Sequence, residues 1–343
     1  MKNRTFFCLL LLLIFCHNSI ASPKNINGET LSIIKNRGYV ICGVSQGLTG
    51  FSTVDDKGHW QGLDVDFCRA IAAATLGDAN KVSFVPLSAK DRFTALQSGD
   101  IDLLSRNTSW TFIRDTTLGL NFIGVIYYDG QGILVKKTSH IKSMSELDGA
   151  IICTNSGTTT ELNIADYFKT HHLKYKIITY EKTDETLAAY ESGRCDAYST
   201  DMSGLAAQKL KLKNPENHII LPEIISKEPL SPMVRQGDAA WENIVRWVLF
   251  VLINAEELKI TQQNVDSQLN STDSNIQRLL GKKDNLGEKI DLSNAWAFNI
   301  ISQVGNYGEI FERNIGLGSP LKLERGINAL WTNGGIMYAP PLR

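Results

Sequence analysis

Past its first two dozen residues, this 343-residue sequence has no apolar run approaching the roughly 20 residues a membrane helix needs. Nothing downstream is therefore built to span a bilayer. Charge of one sign is also missing: 35 Lys and Arg stand against 36 Asp and Glu, a formal charge of −1. No nucleic acid or other polyelectrolyte partner is implied by that balance. Cys-x-x-Cys pairs and clustered Cys/His spacings do not occur, which argues against a metal site. GxSxG, HExxH and phosphate-loop motifs are absent as well. No cofactor is expected, and the common hydrolase and nucleotide chemistries have no motif to rest on.

What is present begins with an address. Met1-Lys2-Asn3-Arg4 is basic, Leu9 to Phe15 is apolar without a break, and Ser19-Ile20-Ala21 is a small-x-small cleavage pattern. Residues 1–21 are thus expected to be a cleaved secretory signal peptide. Lipid anchoring is the weaker option, because Phe7 precedes Cys8 and Phe15 precedes Cys16. Of six cysteines, Cys42, Cys68, Cys153 and Cys195 would remain. An even number in an oxidising compartment favours two disulfides.

Patterning along the chain gives short apolar strands alternating with amphipathic helices. Tyr39 to Val44, Val82 to Val85 and Ile101 to Leu104 read as strands, with helices over Asp64 to Leu76 and Asp91 to Gln97. The grammar restarts with strands at Gly132 to Val135, Ala150 to Cys153, Lys176 to Tyr180 and Asp196 to Thr200, and helices from about Thr160 to Lys169 and Met202 to Leu210. An internal echo supports two α/β lobes: Ala95 to Ser105 and Ala189 to Ser199 each read helix, glycine, strand, polar strand end. A helix is expected over Trp241 to Asn254, followed by a polar stretch from Thr261 to Lys289. The tail from Gly305 to Arg343 is expected to be irregular and docked through Trp331, Ile336 and Tyr338.

In open α/β sheets ligands bind beyond the carboxyl ends of the strands. Two such exits stand out: Leu104 to Trp110, followed by Arg114, and Asn155 to Glu161. The second offers helix N–H groups and hydroxyls to an anion; a plain capping box of Thr158 with Glu161 is the alternative. Arg114 offers a planar fork to a carboxylate, or a surface ion pair with Asp115. Asp201 ends a strand where an ammonium could be held, or it caps the next helix. Asp64 and Asp66 are two apart at a helix start and read as capping residues, not a catalytic pair. His171-His172 reads as solvated.

Jointly, Gly47-Leu-Thr-Gly-Phe51, Gly62-Leu-Asp-Val-Asp-Phe-Cys68, Arg92-Phe-Thr-Ala-Leu-Gln-Ser-Gly99, Ser105-Arg-Asn-Thr-Ser-Trp110, Tyr127-Tyr-Asp-Gly-Gln-Gly132, Ser156-Gly-Thr-Thr-Thr-Glu-Leu162, Gly193-Arg-Cys-Asp196 and Asn306 to Asn314 resemble the solute-binding proteins of polar amino-acid ABC importers. The similarity is greatest to the general L-amino-acid-binding subgroup. It implies an α/β, two-lobed periplasmic-binding-protein fold, type II-like, with two hinge crossings. Lobe one would comprise 22–128 plus 229–343, and lobe two 129–228. It further implies a periplasmic monomer that binds free L-amino acids of several kinds and passes them to an inner-membrane permease, and is not an enzyme.

Carried over position by position, Arg114 would hold the α-carboxylate with help from Ser109, Asn107, Thr158 and Thr159. Asp201 would hold the α-ammonium, while Leu48 and Arg92 would face the ligand side chain. The alternative is a secreted dehydratase-like enzyme on the same fold, which would need a general acid or base in the cleft. Pairing of cysteines within lobes is easier than across a moving cleft, so Cys42 is expected with Cys68 and Cys153 with Cys195.

Overall fold

A computed structural model describes residues 29–343. The expected signal peptide lies outside the described residues. The first half of the chain runs α1 (Glu29–Arg37), β1 (Val40–Ser45), a small hairpin of β2 (Thr53–Val54) and β3 (Trp60–Gln61), α2 (Leu63–Leu76), β4 (Val82–Leu87), α3 (Arg92–Ser98), β5 (Leu103–Leu104), α4 (Phe112–Thr117) and β6 (Leu120–Phe122). The strand β1 lies between β4 and β5 and is parallel to both. Alanines at 70, 72, 73 and 74 let α2 bury nearly its whole surface, and it stops at Gly77, whose φ of 73° is a left-handed cap that suits glycine.

The chain then enters a second sheet through β7 (Tyr127–Lys136), followed by β8 (Ala150–Asn155), α5 (Thr159–Thr170), β9 (Tyr175–Tyr180), α6 (Thr183–Glu191), β10 (Ala197–Asp201), α7 (Met202–Leu210) and β11 (His218–Ile220). Here β8 is parallel to β9 and β10, while β7 is antiparallel to β10 and β11. The return path is β12 (Lys227–Leu230) and β13 (Met233–Arg235). The strand β13 inserts between β5 and β6, completing the first sheet in the order β4-β1-β5-β13-β6. Two crossings therefore join the lobes, and they pair with each other: Tyr127–Gly130 of β7 lies antiparallel to Lys227–Leu230 of β12, with Asp129 opposite Glu228.

Beyond β13, α8 (Ala239–Glu257) packs Trp241, Ile244, Val245, Val248, Leu249 and Leu252 into the first lobe at helical spacing. Asp238 caps it by accepting from the Trp241 N–H at 3.0 Å. Short helices α9 (Val265–Gln268) and α10 (Ser274–Leu279) lie in the polar stretch, and α11 (Trp296–Val304) packs on α2.

The tail departs from the sequence expectation in two ways. It opens with a regular helix, α12 (Tyr307–Asn314), started by a full capping box of Asn306 and Glu309. It is also docked by other residues than expected: Leu321, Leu330, Met337 and Ala339 are buried, whereas Trp331, Ile336 and Tyr338 stay substantially exposed. The alternation of buried and exposed positions there follows loop geometry, which hydrophobicity alone does not reveal.

Both cysteine pairs form as expected. Cys42 on β1 is bonded to Cys68 on α2, and Cys153 on β8 to Cys195 just ahead of β10. The internal echo is also real: α3–β5 and α6–β10 each turn at a left-handed glycine, Gly99 with φ 86° and Gly193 with φ 81°.

Candidate functional site

A cavity of about 700 Å³, counting the part open to solvent, lies between the two sheets. All eight sequence-selected positions line it: Leu48, Arg92, Asn107, Ser109 and Arg114 from the first lobe, Thr158, Thr159 and Asp201 from the second. Two contacts close the lobes on each other beside it. Lys211, at the end of α7, donates to the Gly47 carbonyl at 3.0 Å. Gly157, at φ 74°, lies so near the other lobe that a Cβ would come within 3.2 Å of the Lys90 Cα.

The first-lobe wall is cationic. Arg92 and Arg106 are buried, at 3% and 7% exposure, and Arg114 opens onto the same space. The guanidiniums of Arg92 and Arg114 both lie over the Phe93 ring, at 4.7 and 5.3 Å from its centroid, a cation–π arrangement that fixes two long side chains. Arg114 spends one N–H on the Ser109 carbonyl at 3.0 Å, and Arg106 Nε donates to the Leu87 carbonyl. Arg114 forms no ion pair with Asp115 among the described residues; its helix turns it inward. Burial lowers all three guanidinium pKa values. Arg92 falls well below its ordinary range, with Arg106 and Arg114 adding repulsion, and Arg106 is pushed down to about 10. For Arg114, Glu228 and Asp201 offset part of the burial effect. Three desolvated cations are relieved by an anion arriving among them.

The loop carrying Asn107 and Ser109 is held from below by Asp64. Its carboxylate accepts from the Ser105 hydroxyl and from the Asn107 N–H, each at 3.0 Å. This corrects the capping expectation: Gly62 is the N-cap of α2, and Asp64 braces the loop instead. Asp66 accepts from Arg69, Arg313 and Asn314, tying α2 to α12.

The second-lobe wall is built from helix starts. Thr158 is the N-cap of α5, but its hydroxyl donates back to the Asn155 carbonyl at 2.8 Å and no capping box with Glu161 forms. The first-turn amides of this 12-residue helix thus face the cavity without a side-chain cap, an arrangement suited to negative charge. The Thr159 hydroxyl is engaged by Glu228 at 2.9 Å, which leaves its backbone as the group available to a ligand. Asp201 sits at the N-cap position of α7, yet its side chain makes no capping bond. It is buried, at 8% exposure, and faces the arginines. The two hinge acids steady both helix starts: Glu228 accepts from Thr159 and Asn163, and Asp129 from the N–H and hydroxyl of Ser203.

Sequence reasoning missed Arg106, Tyr198, Glu181, Thr183 and Gln208, all of which line the cavity. Arg106 stands inside the strand exit already singled out, so its signal was there. The others lie on elements whose facing only the packed lobes establish. His171 and His172 are exposed, as expected, and among the described residues no group of His, Cys, Asp or Glu is placed to hold a metal ion.

Buried acids give the site a pH signature. Burial raises Asp64 to about 6 against the pull of Ser105, Asn107 and Arg106. It raises Asp129 to about 6, with Glu228 adding repulsion and Ser203 and Gly130 opposing. Asp201 goes well above the carboxylate range, first through burial and then through Asp129 and Glu228. A carboxyl whose folded pKa exceeds its unfolded value, near about 4, binds its proton more tightly when folded, so stability increases as pH falls toward that value. Through Asp64 and Asp129, the melting temperature without ligand should therefore rise as pH falls from about 6 toward about 4, and Asp201 acts in the same direction. A ligand ammonium that keeps Asp201 ionised should reduce the rise. Melting curves at several pH values with and without amino acid test this, and parallel acid destabilisation in both series would contradict it.

The family model for bacterial extracellular solute-binding proteins, family 3, matches residues 40–265. The chain belongs to that family. Among its relatives, the general L-amino acid-binding periplasmic protein AapJ of Rhizobium johnstonii is 60% identical over 92% of this chain and 94% of its own length. The glutamate/glutamine/aspartate/asparagine-binding protein BztA of Rhodobacter capsulatus is 50% identical over 92% and 94%. A periplasmic binding protein from Brucella ovis, solved with glutathione bound, superposes with a TM-score of 0.90 at 54% identity, over 92% of this chain and 99% of that one. The two-lobed fold agrees with this membership.

Proposed function

We propose that this family 3 solute-binding protein is the periplasmic substrate-binding component of an ABC importer, taking free L-amino acids of several kinds into the interlobe cleft and delivering them to a membrane permease. The single observation that carries the reading is the pairing inside one cavity of two buried guanidiniums, Arg92 and Arg106, the half-buried Arg114 and the uncapped α5 start with a buried, uncapped Asp201. A free amino acid carries an anion and a cation on one carbon, and that wall pair complements both.

In this reading Arg114 holds the α-carboxylate with Ser109, Asn107, Thr158 and Thr159 around it, Asp201 holds the α-ammonium, and Arg92 and Leu48 face the side chain. Residues 1–21 are the export signal, lobe one is 22–128 with 229–343, and lobe two is 129–228, moving about the paired strands β7 and β12. Closing removes the ion pairs from water and strengthens them, and contacts to both lobes shift the open–closed equilibrium. The relatives AapJ and BztA, named as amino-acid binders, support this assignment over the dehydratase-like alternative. In the same reading a membrane permease receives the closed form, and the chain acts as a monomer.

Calorimetry and thermal shift against the twenty amino acids and glutathione test the function directly. Several chemically different amino acids should raise the melting temperature, equivalent to about 2.7 kcal/mol at a hundredfold excess over Kd. Consumption of any of them would speak for an enzyme, and no stabilisation by any would overturn the reading.

A further inference from the structure

One polar side chain in the cavity has no partner at either end. Gln208 is 0% exposed and lines the cavity, and neither its Oε1 nor its Nε2 has a hydrogen-bond partner among the described residues. Leaving a buried amide unpaired is costly, and such groups are normally satisfied. Its place on the helix says what could satisfy it. Asp201, Gly204 and Gln208 are spaced i, i+3 and i+7, so they share the face of α7 that borders the cavity, and all three line it.

Seven residues of helix rise by about 10 Å, and a side chain leans back toward the N-terminus by up to a turn, so the Gln208 amide lies roughly 5–10 Å from the Asp201 carboxylate. Gly204, between them, adds no side chain of its own, and the Thr200 side chain lies against it, its Cγ2 3.1 Å from where a Cβ would stand. An amino acid whose ammonium rests on Asp201 and whose side chain ends in a polar group about 6 Å away, by ordinary bond lengths, spans that interval. Alanine and serine fall short of it.

We propose that Gln208 is a specificity-determining residue that reads the far end of the ligand side chain and selects carboxamides, glutamine first. This rests on the amino-acid-binding reading of the cleft. The chemistry is reciprocal: one amide offers one acceptor and a pair of N–H donors, and a ligand carboxamide matches both unpaired atoms at once. A side-chain carboxylate pairs only with Nε2 and faces Oε1 with a second acceptor. Arg92 suits that ligand better, since its Nε is also buried without a partner. Two readers for two kinds of side-chain end would let one pocket serve amides and acids alike.

The test is Gln208→Met, which keeps length and unbranched shape while removing both hydrogen-bonding atoms. By calorimetry, glutamine should bind about tenfold more weakly to the variant, while glutamate and alanine change by less than about threefold. Melting without ligand separates this from a structural role: the variant should be as stable as the wild type or more so, because an unpaired buried amide has been removed. A variant that melts several degrees lower would show that the amide has a structural partner, and the inference fails. Unchanged glutamine affinity, or equal losses for alanine, also overturns it. If the wild type itself binds none of the three ligands, the failure belongs to the functional reading of the cleft.

Discussion

Arg114→Ala is expected to weaken glutamate, glutamine, alanine and leucine together, by about 2–5 kcal/mol, or well over tenfold. The reason is that Arg114 and Asp201 are assigned to the two charges every free amino acid shares. Removing one member of a buried ion pair forfeits its attraction and leaves the partner charge out of water without compensation. Asp201→Asn should act in the same uniform way. Arg92→Ala should not: facing the side chain, it should lower affinity most for acidic ligands and leave alanine and leucine nearly unchanged. A calorimetric panel of the three variants against the four ligands decides. Wild-type affinity in Arg114→Ala would remove the carboxylate assignment. Equal loss of all four ligands in Arg92→Ala would mean that the ligand lies the other way round, with Arg92 on its shared end.

Replacing the cysteines of either disulfide by serine should lower unfolding free energy by roughly 3–4 kcal/mol, since the bridges close loops with sequence separations of 26 and 42 residues. Loop length enters only logarithmically, so the Cys153–Cys195 pair should exceed the Cys42–Cys68 pair by about 0.4 kcal/mol. Both bridges are fully buried, and each fastens a strand that supplies the site: β1 beside the loop braced by Asp64, and β8 beside β10, which ends in Asp201. Denaturant titration of the two double-serine variants gives the answer. Stability unchanged from wild type in both would show that the bridges do not restrain the unfolded chain as their spacing requires.

Much of the fold was readable because its signals are local. The expected helix over Asp64 to Leu76 occupies Leu63–Leu76, that over Thr160 to Lys169 occupies Thr159–Thr170, and Met202–Leu210 falls on the expected residues. Glycines at helix ends and apolar strand interiors mark such boundaries within a few residues of chain. Cysteine pairing also followed, because strand and helix order restricts which thiols can meet. The third strand was read too long, at Ile101 to Leu104; β5 has only Leu103–Leu104, although the Asp102 N–H still donates to the Ile41 carbonyl of β1 at 2.9 Å and the Asp102 carboxylate accepts from the Ile41 N–H.

The sequence by itself determined the alternation of strands and helices, the doubling into two lobes, and, through residues that match a family in order, the eight positions that border the cavity. Tertiary structure decided what each polar side chain does once it is there. Asp64, Thr158 and Asp201 all stand at helix starts and all carry capping chemistry, yet none caps its helix. Asp64 is turned to a loop, Thr158 bonds backward, and Asp201 is turned toward three arginines drawn from separate parts of the first lobe. Spacing fixes which residue opens a helix; the direction of its side chain is set by desolvation and by charges on elements distant along the chain. Gln208 shows the same division. Its i+7 relation to Asp201 is written in the sequence, but that its amide is buried, unpaired and bordering the cleft follows only from the two lobes packed around it.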